Sequence, residues 1–253
     1  MKNKILAVIP ARYASTRFEG KPLAMINDKP MVMWVYDAAV KSGLFNKTVV
    51  ATDDTRIYNA VKQYSGEVIM TSNDLKNGTE RCLQTLSLLE KEGLGFDIVI
   101  NIQGDEPLIQ KKMMECVISG FENQYADIVT LKKAIETQDE LNDRNVVKVV
   151  CNKDGRALYF SRNAVPFCRD NNTEELIQSG KYFKHIGIYG YRSSALKKIV
   201  HLEESFLEKT EKLEQLRWLE NGYNIVVKTT DTDTVGVDTK EDLEKIIRII
   251  NTK

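Results

Sequence analysis

Four short runs rich in β-branched residues, "KILAVIP" (4–10), "TVVAT" (48–52), "EVIM" (67–70) and "DIVINIQ" (97–103), punctuate the first half of the chain. Each is followed by a stretch with helical spacing of its apolar residues: "PMVMWVYDAAVKSG", "DTRIYNAVKQY", "TERCLQTLSLLEKEG" and "KKMMECVISGF". In the first of these, Met31, Trp34, Val35, Ala38 and Ala39 share a face and Gly43 marks the end. Strands that alternate with helices cannot pair through tight hairpins. They predict a parallel sheet with helices on both faces. In such sheets ligands sit at the carboxyl ends of the strands, so the segments that follow the strands are where chemistry is expected.

From about Val129 the pattern changes. "VVKVVCNKDG", "RALYFSRNAVPF" and "FKHIGIYGYR" are strand-like with Gly or Pro punctuation and no long helix between the first two. They predict an antiparallel β-rich insert, approximately 129–192, within one domain spanning 1–253. Beyond it come a helix in "EKLEQLRWLENG" ended by Gly222, a strand in "YNIVVKTT" and a last helix in "TKEDLEKIIRII".

Charge excludes some partners. Lys+Arg and Asp+Glu each number 36 in 253 residues, so nothing draws the chain as a whole to nucleic acid or to an anionic membrane. No apolar run approaches the ~18 residues of a membrane span. Four cysteines without a CxxC pair, and two histidines, argue against a structural zinc site and for buried thiols in a reducing compartment. The N-terminus reaches strand-like sequence within four residues, leaving no room for a signal peptide, and a cytoplasmic location is expected.

Against that neutral background, "IPARYASTRFEGKPL" places Arg12, Arg17 and Lys21 in one loop after the first strand. A basic loop in this position suits a phosphate ligand, and Ala14 and Ser15 leave room for close approach. It matches neither G-x-x-x-x-G-K-[ST] nor G-x-G-x-x-G. "NIQGDEP" delivers Asp105 at the end of a strand after Gly104, an arrangement able to offer one short carboxylate to a divalent metal. Glu106 beside it is longer and more flexible, so Asp105 is the better candidate. Asp238 in "VGVDT" reads as the N-cap of the last helix, with Glu241 completing a box, unless it joins Asp105 in a site. Gly78 and Thr79 open a helix, where they either offer backbone groups to a ligand or leave Thr79 as a plain N-cap. His185 and Tyr189 flank Gly187 on one face of an extended strand, either as a cleft or as core residues.

Taken in order, "IPARYASTR" with "GKPL", "NGTER", "NIQGDEP", "ALYFSR", "HIGIYGYR", "LEQLRWLENG" and "GVDT" resemble the 3-deoxy-manno-octulosonate (Kdo) cytidylyltransferase family over essentially the whole chain. The resemblance implies a nucleotide-diphosphosugar transferase-like α/β fold whose inserted β element supports a homodimer and the sugar site. It implies coupling of CTP to Kdo with Mg2+, for lipopolysaccharide biosynthesis. It assigns Ala11, Arg12, Arg17 and Lys21 to the triphosphate, Thr71, Gly78 and Thr79 to the cytidine, and Gln103 to the border of both substrates. Asp105 and Asp238 match the magnesium-binding aspartates. Arg162, His185, Tyr189, Glu214 and Gln215 match the region that holds the sugar acid, with Arg162 expected on its carboxylate. Lys21 and Arg12 are expected to join the two aspartates in catalysis. Members commonly read R-[LF]-P-G-K-P-L; here Glu19 replaces the first proline and is expected to face solvent. The neighbouring readings are the same chemistry on an 8-amino analogue of Kdo or on sialic acid, and a non-catalytic nucleotide-binding protein.

Overall fold

All four expected early strands are present in the computed structural model, which describes residues 3–14, 17–170 and 172–252. Ser15, invoked above for close approach in the basic loop, lies outside the described residues. The chain divides into two compact units, one running to Met114 and resuming at Thr234, the other Glu115–Asp233. The expected β-rich insert lies inside the second unit.

In the first unit, β1 (Ile5–Ala11) opens the chain and a two-residue pair, β2 (Met25–Ile26) and β3 (Lys29–Pro30), precedes α1 (Met31–Ser42). Then follow β4 (Lys47–Thr52), α2 (Thr55–Gln63), β5 (Val68–Met70), α3 (Gly78–Lys91) and β6 (Ile98–Asn101). These strands pair parallel in the order β6-β1-β4-β5. Leu6, Ala7, Val8 and Ile9 are fully buried, as are Val49 to Ala51 and Val99 to Ile100. Continuous apolar runs are what a sheet covered on both faces requires. Because β1 pairs with β4 on one side and with β6 on the other, the order reverses between β1 and β6. A crevice is expected at the carboxyl ends of those two strands.

The second unit begins within α4 (Lys111–Ser119). It contains β7 (Ile128–Ala134), α5 (Gln138–Asn142), β8 (Lys148–Cys151), β9 (Ala157–Ser161), α6 (Thr173–Gln178) and β10 (Phe183–Arg192). After these come α7 (Ser193–Ile199), α8 (Phe206–Glu211), α9 (Glu214–Glu220) and β11 (Ile225–Thr229). β10 is antiparallel to β7 and to β8, β8 is antiparallel to β9, and β11 is parallel to β7. The chain is thus α/β, with helices flanking a parallel sheet in one unit and a mixed sheet in the other. The helix read from "EKLEQLRWLENG" begins later than expected, because Lys212 takes a left-handed conformation (φ 55°) and separates α8 from α9.

The last helix, α10 (Lys240–Asn251), returns to the first unit and packs Ile246 beside Ile26, Met31 and Val237 in a buried cluster. Among the described residues no helix is long and apolar enough to cross a membrane. All four cysteines are free.

Candidate functional site

The crevice is present where the strand order reverses. It is an open cleft of about 490 Å³ lined by Arg12, Arg17, Lys21, Gln103, Asp105 and Asp238, with Ala11 and Gly78 also on its wall. Eight residues named from the sequence therefore meet in one place, although Ala11 and Asp238 are separated by most of the chain.

Local chemistry explains the convergence. After β1 the chain turns back through Gly20, whose left-handed φ of 69° suits glycine and whose N–H donates to the Tyr13 carbonyl at 2.9 Å. A Cβ at Gly20 would press on the Tyr13 ring at 3.1 Å. A short 3-10 turn over Lys21–Leu23, carrying buried Pro22, then aims Lys21 into the cleft. Glu19, the departure from the family pattern, is exposed, as expected. At the end of β6, Gly104 lies against β1 so closely that a Cβ would stand 2.8 Å from the Pro10 carbonyl oxygen. Only glycine permits this approach, and it brings Asp105 to the cleft. The Val237 N–H donates to the Asp105 carbonyl at 2.9 Å, which sets the next residue, Asp238, beside it.

Two expectations about caps are corrected. Asp238 is not the N-cap of α10: Thr239 holds that position and shares a capping box with Asp242, not Glu241. The helix starts one residue later than read, which leaves the Asp238 carboxylate for the cleft. Likewise Asn77, not Thr79, caps α3, accepting from the Glu80 N–H. Thr79 and Thr71 are both buried. The Thr71 hydroxyl oxygen accepts from the Arg81 guanidinium, which also reaches Asp53 at 3.1 Å.

The charges of the cleft are paired with one another. Lys21 Nζ lies 2.6 Å from Asp105 Oδ2 and 3.2 Å from Asp238 Oδ1. Arg17 Nη2 is 3.2 Å from Asp238 Oδ2, and Arg12 Nε is 3.9 Å from Asp53. Arg12 Nη1 also donates to the Lys76 carbonyl at 3.2 Å. Glu106 takes another course. Its carboxyl is buried, Oε2 has no hydrogen-bond partner, and its pKa is pushed up to about 8, chiefly by burial and then by the charge of Asp105. It is therefore neutral at pH 7 and, unlike Asp105, does not line the cleft. Among the described residues no group of three or more His, Cys, Asp or Glu forms a ready-made metal cage.

The residues expected near the sugar acid all fall in the second unit. His185 Nε2 is 2.9 Å from Thr130 Oγ1, and its ring stands edge-on to Phe160 and 5.3 Å from that of Tyr189. Burial pushes the His185 pKa down to about 3. It also raises that of Tyr189, with the charge of Glu214 adding to the rise. A Cβ on Gly187 would meet nothing within 4 Å, so space lies open beside this pair. Glu214 and Gln215 form the first turn of α9; Glu214 Oε1 accepts from Arg217 at 2.9 Å and Gln215 is buried. Arg162, expected on the carboxylate of the sugar acid, instead has its guanidinium on backbone carbonyls at the break after α8: Nε donates to that of Glu211 at 2.8 Å and Nη1 to that of Arg144 at 3.0 Å. Such binding satisfies a carbonyl left over at a helix end.

Supporting residues escaped the sequence reading. Asp53, at the end of β4, serves both Arg12 and Arg81. Lys148 is fully buried, its ammonium donating to the carbonyls of Asp143, Val146 and Arg162 at 2.6–2.8 Å. The polar "TDD" after β4 signalled the first; nothing local signals a lysine inside a strand pair.

The profile of the family described as cytidylyltransferase matches residues 6–230. The chain is 45% identical over 251 residues to a 3-deoxy-manno-octulosonate cytidylyltransferase of Parabacteroides distasonis, covering 98% of each chain. It is 49% identical over 245 residues to the protein of that name from Bacteroides thetaiotaomicron, covering 95% of this chain and 96% of the other. A solved structure of CMP:2-keto-3-deoxy-manno-octonic acid synthetase complexed with CTP superposes with a TM-score of 0.89 at 39% identity, over 98% of this chain and 99% of that one.

Proposed function

The chain belongs to the cytidylyltransferase family, and from that premise we infer that it transfers the cytidylyl group of CTP to 3-deoxy-manno-octulosonate, giving CMP-Kdo and diphosphate. The observation that carries this reading is the cleft at the β1/β6 reversal, where Arg12, Arg17 and Lys21 face Asp105 and Asp238.

The reaction is attack by the anomeric hydroxyl of the sugar acid on the α-phosphorus, with diphosphate leaving from the opposite side. The protein's work is to hold both substrates and to oppose charge. A triphosphate brings about four negative charges near neutral pH, and the leaving group gathers more in the transition state. Lys21 and Arg17, now paired with aspartates, turn to the phosphates as CTP enters, and Arg12 joins them from its half-exposed position. Ala11 and Gly78 offer close backbone approach, Thr71 and Thr79 support the nucleoside, and Gln103 stands between the two substrates.

That exchange releases Asp105 and Asp238. Their carboxylates already converge on one cation, the Lys21 ammonium. Two short oxygen donors beside bound phosphates suit Mg2+, which takes one or two carboxylates and completes its shell with water and phosphate oxygens. When bound, the metal screens phosphate charge and lowers the pKa of a coordinated hydroxyl. On the sugar side, His185, Tyr189, Glu214 and Gln215 surround the acid, and Arg162, with three guanidinium nitrogens on carbonyls, orders the chain around it.

A homodimer formed through the second unit is part of the proposal. Among the described residues β9 forms a ladder with β8 alone, apart from a bridge just before it between Arg156 and Val226, and the apolar side chains of Leu158 (60% exposed) and Phe167 (86%) are exposed. Free cysteines suit a reducing, cytoplasmic setting. The test is diphosphate release from CTP with Kdo, with its 8-amino analogue and with sialic acid, each with and without Mg2+. Metal-dependent release with Kdo is expected; release independent of any sugar acid, or none, would sink the assignment.

A further inference from the structure

The contacts around Thr130 favour one distribution of hydrogens. Along the β10–β7 ladder Ile186 faces Leu131, yet the next partner, Thr130, faces Tyr189, so Gly187 and Ile188 are extra on β10. The fully buried Thr130 side chain fills this irregularity. Its Oγ1 lies 2.8 Å from the Ile188 carbonyl oxygen, 3.1 Å from that of Ile186 and 2.9 Å from His185 Nε2. A hydroxyl has one proton and can accept through its lone pairs. The two carbonyl oxygens have no proton to give, so they take the Thr130 hydrogen between them. A hydrogen held by the carbonyls is not free for the ring, and the arrangement that satisfies all three neighbours has Nε2 carrying a hydrogen and donating it to Oγ1. Burial keeps the ring neutral at physiological pH. A neutral imidazole with its hydrogen on Nε2 has a bare lone pair on Nδ1.

We propose that Thr130 is a positioning residue for the sugar acid: it locks His185 in the Nε2–H tautomer, so that Nδ1 accepts from a substrate hydroxyl and offers no donor to the carboxylate. This rests on the reading of His185 as a sugar-acid contact. Phe160, 5.1 Å away edge-on, and Tyr189 restrict the ring, and the open space at Gly187 gives a ligand room beside it. The consequence is selectivity. A fixed acceptor favours a hydroxyl and repels an anion, so the acid group of the substrate is held elsewhere.

The tautomer is read directly from multiple-bond 1H–15N correlation spectra of the imidazoles in the ligand-free protein. Only His185 and His201 contribute, and His201→Gln assigns them. The wild-type spectrum should show the Nε2–H form for His185. Thr130→Val keeps the shape and removes the hydroxyl; it should shift the ring away from that form and raise the KM for the sugar acid about five- to tenfold, the worth of one hydrogen bond. The KM for CTP and kcat should stay within about twofold. Thr130→Ser should restore both spectrum and KM, which a merely structural loss would not do. An Nδ1–H pattern in the wild type overturns the proposal outright, and that measurement needs no variant to fold. A Thr130→Val protein with unchanged tautomer or unchanged sugar KM also overturns it. His185→Ala separates the two layers: an unaltered sugar KM there removes the sugar acid from His185, whereas a raised KM with an unmoved tautomer in Thr130→Val removes Thr130 alone.

Discussion

Replacing Glu106 with glutamine should reverse the sign of its effect on stability between pH 5 and pH 8. The Glu106 carboxyl is buried with Oε2 unpartnered, and its pKa is raised from 4.5 to about 8. Above pH 4.5 the unfolded chain loses this proton while the folded chain keeps it, so the unfolded state binds fewer protons and stability falls as pH rises. The slope is about 1.36 kcal/mol per pH unit, which over some 3.5 units amounts to about 5 kcal/mol lost by pH 8. Glutamine has the same shape and does not titrate. It leaves a buried amide N–H without a partner, at a cost of about 1–2 kcal/mol. Wild type has already lost about 0.7 kcal/mol by pH 5, so Glu106→Gln should be less stable by about 0.5–1 kcal/mol at pH 5, and more stable by about 3 kcal/mol at pH 8. Urea denaturation followed by circular dichroism at pH 5, 6.5 and 8 measures the difference. Parallel stability-versus-pH curves for the two proteins would show that the carboxyl titrates normally in the fold.

Asp105→Asn should cut turnover by about a hundredfold or more with little change in melting temperature, because it removes a cleft carboxylate and no core contact; steady-state rates over a Mg2+ titration check this. Lys21→Ala should raise the KM for CTP well above any change in the KM for Kdo, since Lys21 faces the phosphates; equal losses in both would point to a disturbed loop instead. Gly104→Ala should cost about 1–3 kcal/mol and lower activity, as its Cβ would stand 2.8 Å from a backbone oxygen that cannot yield; thermal melts and rates read both effects. For His185 the sign is opposite to that of Glu106: its folded pKa of about 3 lies below the usual 6.5, so its contribution is present above pH 6.5 and lost as pH falls toward 3. His185→Gln should flatten that acid limb in the same denaturation series.

The strands and helices of the first unit were legible because buried parallel strands need continuous β-branched runs and the helices between them need a 3.6-residue period. Both are local patterns. The second unit was harder to read. Its short helices α5, α6 and α7 carry too few turns for a period to show, and the break at Lys212 depends on a residue type that does not announce a left-handed conformation. The caps were misplaced by one or two residues for a related reason: "NGT" and "VDT" each offer more than one side chain able to cap, and only the actual start of the helix selects among them.

What the sequence determined by itself is the set of groups at the strand ends: three cations after β1, a Gly-Asp after β6, an Asp before α10. Each group alone suited a phosphate or a divalent cation among other roles; their order along the chain carried the resemblance to the Kdo cytidylyltransferases, and that resemblance named the chemistry. What only the tertiary structure decided is how the groups are paired. Lys21 rests between Asp105 and Asp238, and Asp53 links Arg12 to Arg81, across 28 to 217 residues of chain. Glu106, adjacent to Asp105 and of like charge in the sequence, is turned inward and neutralised. Charge is a property of a residue, but its pKa and its partner belong to the place where the fold puts it.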